Sequence, residues 1–280
     1  MGFLRRFIVF ASILTLTACG EKFVYNNLDW FVVDYVDSFV DLERPQKEIL
    51  TERIQLMAEW HKENELPTYI EHFDDLLSLK PNDFTVTLLT KQEARFREHS
   101  QRLIQQAAPD LYALSKQLSN EQVEELLENL KEQHEEFADE YIDIEEQERV
   151  ELYQSRISKN MERWLGDISD EQERMIVNWS ESIEDTRQDW VSYHSKFRDE
   201  LSQLLANRNN DSLFQSQFQQ MLYEPEALFS QEFELKRSEN RQIARVHLSK
   251  LFQSMDEKQY RHLQDELRKW RTIAVDLAAN

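Results

Sequence analysis

The sequence predicts an all-α protein, an elongated bundle of long antiparallel helices with coiled-coil-like packing. Three observations carry that expectation. Of the three glycines, Gly2 and Gly20 stand near the N-terminus and only Gly166 lies in the body. Gly-rich phosphate loops, nucleophile elbows and tight hairpins, which need backbone that glycine adopts cheaply, therefore cannot be built. Apolar residues make up 40% and charged residues 31%, enough for a packed core, and Leu, Glu, Gln and Arg are favoured over β-branched runs. Apolar positions also recur at helical spacing along most of the chain, and no stretch reads as a strand.

The elements follow in order. Residues 28–42 place Leu28, Phe31, Val32, Tyr35, Val36 and Phe39 at helical spacing, with Asp29, Asp34, Asp37 and Asp41 elsewhere on the surface. A second helix begins near Pro45, whose missing N–H suits a first turn, and runs to about Leu66. Pro67 then breaks or kinks the chain, and a further helical stretch, 68–79, stops before Pro81. Pro109 divides the next region into helices over 84–107 and 110–118.

From Val123 the positions Leu127, Leu130, His134, Phe137, Tyr141 and Ile144 alternate steps of four and three, a heptad seam. The seam shifts frame over 145–148 and resumes as Val150, Tyr153, Ile157, Met161 and Trp164, the behaviour of a stutter in one long helix that Gly166 ends in the left-handed position. A comparable helix is expected over 170–207, with Ile176, Trp179, Ile183 and Trp190 facing inward. Asn209, Asn210 and Asp211 form a turn, and the last third reads as helices to Tyr223, over 225–254 and over 257–277.

The N-terminus has a different logic. Arg5 and Arg6 precede an apolar stretch over 7–17, shorter than the roughly 20 residues a helix needs to cross a bilayer. The stretch ends in Leu16-Thr17-Ala18-Cys19-Gly20, which resembles the bacterial lipobox. The resemblance implies cleavage between Ala18 and Cys19 and acylation of Cys19. Residues 1–18 are then a signal peptide, 19–27 a lipidated Cys and short tether, 28–118 an N-terminal helical part and 119–280 a long-helix bundle continuous with it.

Cys19 is the single cysteine, so no internal disulfide competes for it. One buried chain holds a protein marginally and two or more hold it stably; the resemblance implies three. Gly20 stands where many inner-membrane lipoproteins carry Asp, which implies the outer membrane, periplasmic side.

Removing residues 1–18 leaves 31 basic against 54 acidic residues, a net charge of −23. A field of that sign repels nucleic acid, and no nucleic-acid partner is expected. The charge is uneven: residues 121–148 hold thirteen acids and one base, Lys131, whereas 236–271 hold ten bases and five acids. The acidic stretch reads as a solvated helix face balanced by the basic segment packing nearby, or as a dock for a basic partner.

Leu118-Ser119-Asn120-Glu121-Gln122, Ile168-Ser169-Asp170-Glu171-Gln172 and Met255-Asp256-Glu257-Lys258-Gln259 share an apolar residue, a cap and a Gln three places later, the pattern of a capping box. They resemble the Leu-Thr-x-x-Gln motif of Spy-like periplasmic chaperones, and any helical protein also reuses good caps. A broader resemblance rests on Tyr25-Asn26-Asn27-Leu28-Asp29-Trp30, Trp60-His61-Lys62-Glu63-Asn64-Glu65-Leu66-Pro67-Thr68-Tyr69 and Arg163-Trp164-Leu165-Gly166-Asp167-Ile168-Ser169-Asp170-Glu171-Gln172. These runs resemble a family of proteobacterial helical lipoproteins of unknown function, which implies place and shape but no activity.

Catalytic and metal chemistry find no support in spacing. None of His61, His72, His99, His134, His194, His247 and His262 has an acid three or four residues before it, as a di-metal bundle site requires. The reverse pairs His61–Glu65, His72–Asp75 and His262 with Asp265 or Glu266 are common by chance in so acidic a chain. No metal, no cofactor beyond the Cys19 lipid and no enzymatic activity are expected. His134 alone lies in the apolar seam, either as a pH-sensitive residue or as a satisfied boundary residue. The expected function is an envelope binding or scaffolding lipoprotein, with a chaperone shielding unfolded periplasmic clients as the alternative.

Overall fold

The computed structural model describes residues 23–279, so Ala18 and Cys19 lie outside the described residues. Every regular element among the described residues is a helix. The α-helices are α1 (Leu28–Asp37), α2 (Arg44–Asn64), α3 (Leu66–Leu77), α4 (Val86–Gln117), α5 (Asn120–Tyr141), α6 (Glu146–Leu165), α7 (Asp170–Ser182), α8 (Arg187–Ala206), α9 (Asp211–Tyr223), α10 (Gln231–Gln253) and α11 (Glu257–Ala278). Residues 23–26 are already helical, so the described part of the expected 19–27 tether is not an open linker.

The helices pair lengthwise, as the apolar stripes require. α11 lies antiparallel on α3, with Leu66 among Ile273, Ala274 and Leu277 at one end, and Gln264 Nε2 donating to the Leu77 carbonyl at 3.2 Å at the other. α4 runs antiparallel to α10 through Arg245 and Glu93 (2.6 Å) and through Ser249 Oγ donating to the Phe84 carbonyl (2.7 Å). Where α6, α7, α10 and α11 meet, Met161, Leu165, Ile176, Trp179, Leu251, Leu263 and Leu267 form the main core.

Five expectations are corrected. Helix α1 stops at Asp37, not Leu42, because Val40 and Leu42 turn inward against Leu50 in a second core. Pro109 does not divide two helices: α4 continues through it. An interior proline removes a hydrogen bond and crowds the preceding turn, costing about 3 kcal/mol. Tertiary contacts beyond both sides of Pro109 hold α4, with Glu93 on Arg245 before it and the Gln117 carbonyl on Gln46 after it.

The stutter is a true break at 142–145, and the 170–207 helix is also broken, at 183–186. The breaks face each other and exchange arginines. Arg187 Nη1 donates to the carbonyls of Tyr141 (2.8 Å) and Ile144 (3.0 Å), while Arg149 Nη1 donates to Ile183 (3.2 Å). Asn240 closes the gap by bonding both the N–H and the carbonyl of Glu184. Apolar spacing sees none of this, because the atoms that stabilise the breaks sit on other helices. The segment over 225–254 is likewise split, a 3-10 turn (Pro225–Leu228) followed by α10 capped by Ser230.

The capping boxes form as expected at Ser119, Ser169 and Asp256, and the structure adds another with Gln at its third position, at the start of α2. There Gln46 Oε1 accepts from the Glu43 N–H at 2.8 Å. Its sequence, Leu42-Glu43-Arg44-Pro45-Gln46, has the same apolar-cap-x-x-Gln form with Glu as the cap.

The four boxes then pair. The amides of Gln46 and Gln122 bond head to head at 3.0 and 2.7 Å, and those of Gln172 and Gln259 at 2.9 and 2.7 Å. In each pair the spare amide N–H reaches an oxygen two residues before the partner's cap: Gln117, Asp41 and Asp167 carbonyls, and Ser254 Oγ. All four glutamines are buried. The clasps stand at the start of α5 and just beyond the end of α6, opposite ends of that path.

Gly166 separates α6 from the second clasp with φ +76° and ψ −136°, backbone that L side chains rarely adopt. We expect Gln122→Ala and Gln172→Ala each to lower unfolding free energy by about 2–4 kcal/mol, because each removes half a box and leaves a buried amide unpaired. Urea denaturation followed by circular dichroism measures this. The Gln46→Ala and Gln122→Ala losses should sum to more than the double substitution costs, and full additivity would show that the clasp is not a coupled unit.

Candidate functional sites: paired histidines and an acidic ridge

Two of the seven histidines meet at the α3–α4 contact. Glu65, between α2 and α3 and 1% exposed, takes two bonds from Arg102, Nε at 2.6 Å and Nη2 at 2.9 Å. Arg102 Nη2 also lies 2.6 Å from His99 Nδ1. Guanidinium only donates, so Nδ1 must accept and the proton of neutral His99 sits on Nε2. Nε2 then donates to His72 Nδ1 (3.1 Å), and His72 Nε2 donates to Gln92 Oε1 (2.7 Å).

A single proton order thus runs from Arg102 to Gln92, with both imidazoles neutral. Burial holds the His72 and His99 pKa values below the ordinary histidine value, and for His99 the Arg102 charge adds to it. For Glu65, burial raises the pKa but the Arg102 bonds and charge outweigh it, and the carboxyl titrates below its usual range.

A second pair joins α5 to α8. His134, the seam histidine, stacks face to face on His194, ring centroids 4.0 Å apart and planes 8° from parallel. Arg198 Nη1 donates to His134 Nδ1 at 2.7 Å. Burial, the second imidazole and the Arg198 charge push the His134 pKa down to about 4, and burial and Arg198 lower that of His194. Phe137 meets His194 edge-on and Trp190 lies 5.8 Å from it, so the pair is walled by aromatic rings.

The sequence singled out His134 but none of its partners. The pairings of His134 with His194, His72 with His99 and Gln92, and Glu65 with Arg102 escaped because each crosses between segments. The short-range acid pairs dissolve: Glu65 goes to Arg102, Asp75 to Arg95, and Asp265 to Arg268. His262 Nε2 donates instead to the Arg163 carbonyl at 3.0 Å and its ring packs over Gly166. Among the described residues no group of three or more His, Cys, Asp and Glu could hold a metal ion, and no helix is long and apolar enough to cross a membrane.

The third feature is on the surface. All thirteen acids from Glu121 to Glu148 are exposed. The expectation that the basic segment balances them by packing nearby is corrected. Among the described residues its ion pairs with other helices and loops go elsewhere: Lys236 to Asp189, Arg245 to Glu93, Lys258 to Asp167 and Arg271 to Asp74. Within the acidic stretch, Glu128 bonds Lys131, Glu146 bonds Arg149, and Glu125 accepts from the Asp41 N–H. None of the ion pairs formed by residues 236–271 reaches an acid of 121–148, so the ridge keeps its charge.

The model of a family of unknown function (DUF6279) matches residues 38–234, well over half of the chain, and the chain belongs to that family. The match contains the runs at 60–69 and 163–172, while the run at 25–30 lies outside it. No curated protein and no solved structure matches the chain.

Burial and its neighbours lower the His134 pKa to about 4 in the folded protein, from the ordinary histidine value of 6.5. The unfolded chain therefore binds more protons between these values, and stability present above pH 6.5 is lost as pH falls toward 4. We expect the urea midpoint to drop across this window and the drop to be shallower in His134→Leu; parallel curves for the two proteins would remove the pair from the explanation. Arg102→Met, which leaves the Glu65 carboxylate buried without its partner, should cost about 3 kcal/mol at pH 7 by the same assay.

Proposed function

We propose that this member of a family of unknown function is a lipid-anchored, non-enzymatic binding or scaffolding protein of the bacterial envelope, held at the periplasmic side of the outer membrane through Cys19. The acidic ridge carries the reading: thirteen exposed carboxylates, largely unneutralised by the rest of the body, offer a surface of one sign to a basic partner. The lipobox pattern Leu16 to Gly20 supports the anchor and the compartment. In this reading the histidine networks are structural, fixing helix register around the ridge rather than acting on a substrate.

A second reading, a chaperone-like protein that shields unfolded clients, is favoured by one observation. Four apolar-cap-x-x-Gln boxes pair two by two into buried clasps, and three of them have the form that resembles the Spy-like motif. This reading needs an apolar cradle as well. The exposed large apolar side chains include Phe96, Ile104 and Leu111 on α4.

Photo-reactive residues at Glu128, Glu135 and Asp139 in cells separate the two. We expect one dominant adduct whose yield falls steeply as salt is raised, since exposed charges are screened beyond about 8 Å at physiological ionic strength. A broad set of unrelated exported proteins would transfer support to the chaperone reading, and no adduct at any salt would end the ridge as a binding surface.

A further inference from the structure

We propose that Phe23 and Trp30, at the start of the described chain, seat this end of the protein in the interfacial layer of the bilayer, so that the body touches the membrane through side chains as well as lipid. The inference rests on reading Cys19 as the lipidated residue.

Phe23 and Trp30 are each 61% exposed. Helix α1 buries no residue at all, although it packs along α2. Its base is nevertheless fixed. Tyr25 Oη donates to the Ala58 carbonyl (3.2 Å) and bonds His61 Nδ1 (2.9 Å), and Gln55 Nε2 donates to Asp29 Oδ2 (2.7 Å). Leu56 of α2, 53% exposed, borders the cleft beside Leu28 and Asp29. The two large rings are therefore held out from a fixed support, where burial against the protein's own core would have been the default for such side chains.

Chain length identifies the occupant. Residues 20–22 alone separate Cys19 from Phe23, so the two Cα atoms are at most about 14 Å apart. Trp30 follows roughly 10 Å further along at helical rise. Any lipid on Cys19 brings both rings within reach of the headgroup region, where Trp and other aromatic side chains partition favourably. Asp29, Asp34 and Asp37 share α1 with Trp30, so anionic lipid repels this segment and apolar contact must carry the binding.

The test uses acylated full-length mature protein in phosphatidylcholine vesicles whose acyl chains carry bromine, a contact quencher of tryptophan. We expect the protein to float with the vesicles and to lose on the order of one sixth of its emission, Trp30 being one of six tryptophans. Trp30→Phe should float equally and show no bromine-dependent loss, and phosphatidylglycerol-rich vesicles should quench the wild type less. Floating protein with no quenching, or quenching that persists in Trp30→Phe, overturns the proposal and leaves the anchor standing. Protein that fails to float defeats the anchor reading and this inference together.

Discussion

The head-to-head glutamine clasp is the interaction on which the rest of the architecture depends. A helix start leaves backbone N–H groups without partners, and burying two starts against each other would strand both sets. A Gln at the third position solves this for both helices at once. Its oxygen accepts from its own cap N–H and from the opposing amide, and its nitrogen donates to that amide and to an oxygen just before the opposing cap. No other uncharged side chain offers a planar donor and acceptor pair at that reach. Because one clasp joins α2 to α5 and the other α7 to α11, each closes a long loop of chain and sets the axial position of the helices between.

Between the clasps the bundle manages its polar groups by the same reciprocity. The facing breaks at 142–145 and 183–186 would expose carbonyls inside the bundle, and Arg149 and Arg187 each reach across to satisfy the other's. The His72–His99 and His134–His194 pairs are neutral donors and acceptors walled by aromatic rings, not charged ligands. A bundle held this way depends on uncharged imidazoles, which ties its integrity to neutral pH through the same burial that makes the helices pack.

Where polar groups are not consumed internally they gather by sign. The ridge on α5 and the start of α6 keeps its carboxylates in water, whereas the basic C-terminal helices spend theirs on ion pairs within the body. That asymmetry is what the binding proposal uses: a surface whose charge is not needed for folding is available to a partner. Phe23 and Trp30, next to the expected anchor, are likewise not used by the core.

The helical class, the caps at Ser119, Ser169 and Asp256, and the start of the last helix were legible in the sequence by itself, because capping and amphipathic spacing act over a few residues. The box at Glu43 was legible in principle, yet its cap is not one of the favoured types. His134 was visible as a seam residue, but its pKa is depressed by burial first and then by His194 and Arg198, groups that pack on it from sixty or more positions away. Continuity through Pro109 and the breaks after Tyr141 and Ser182 inverted the local signals. In each case atoms distant in sequence decided whether a carbonyl would be satisfied, and only the tertiary structure brings those atoms together.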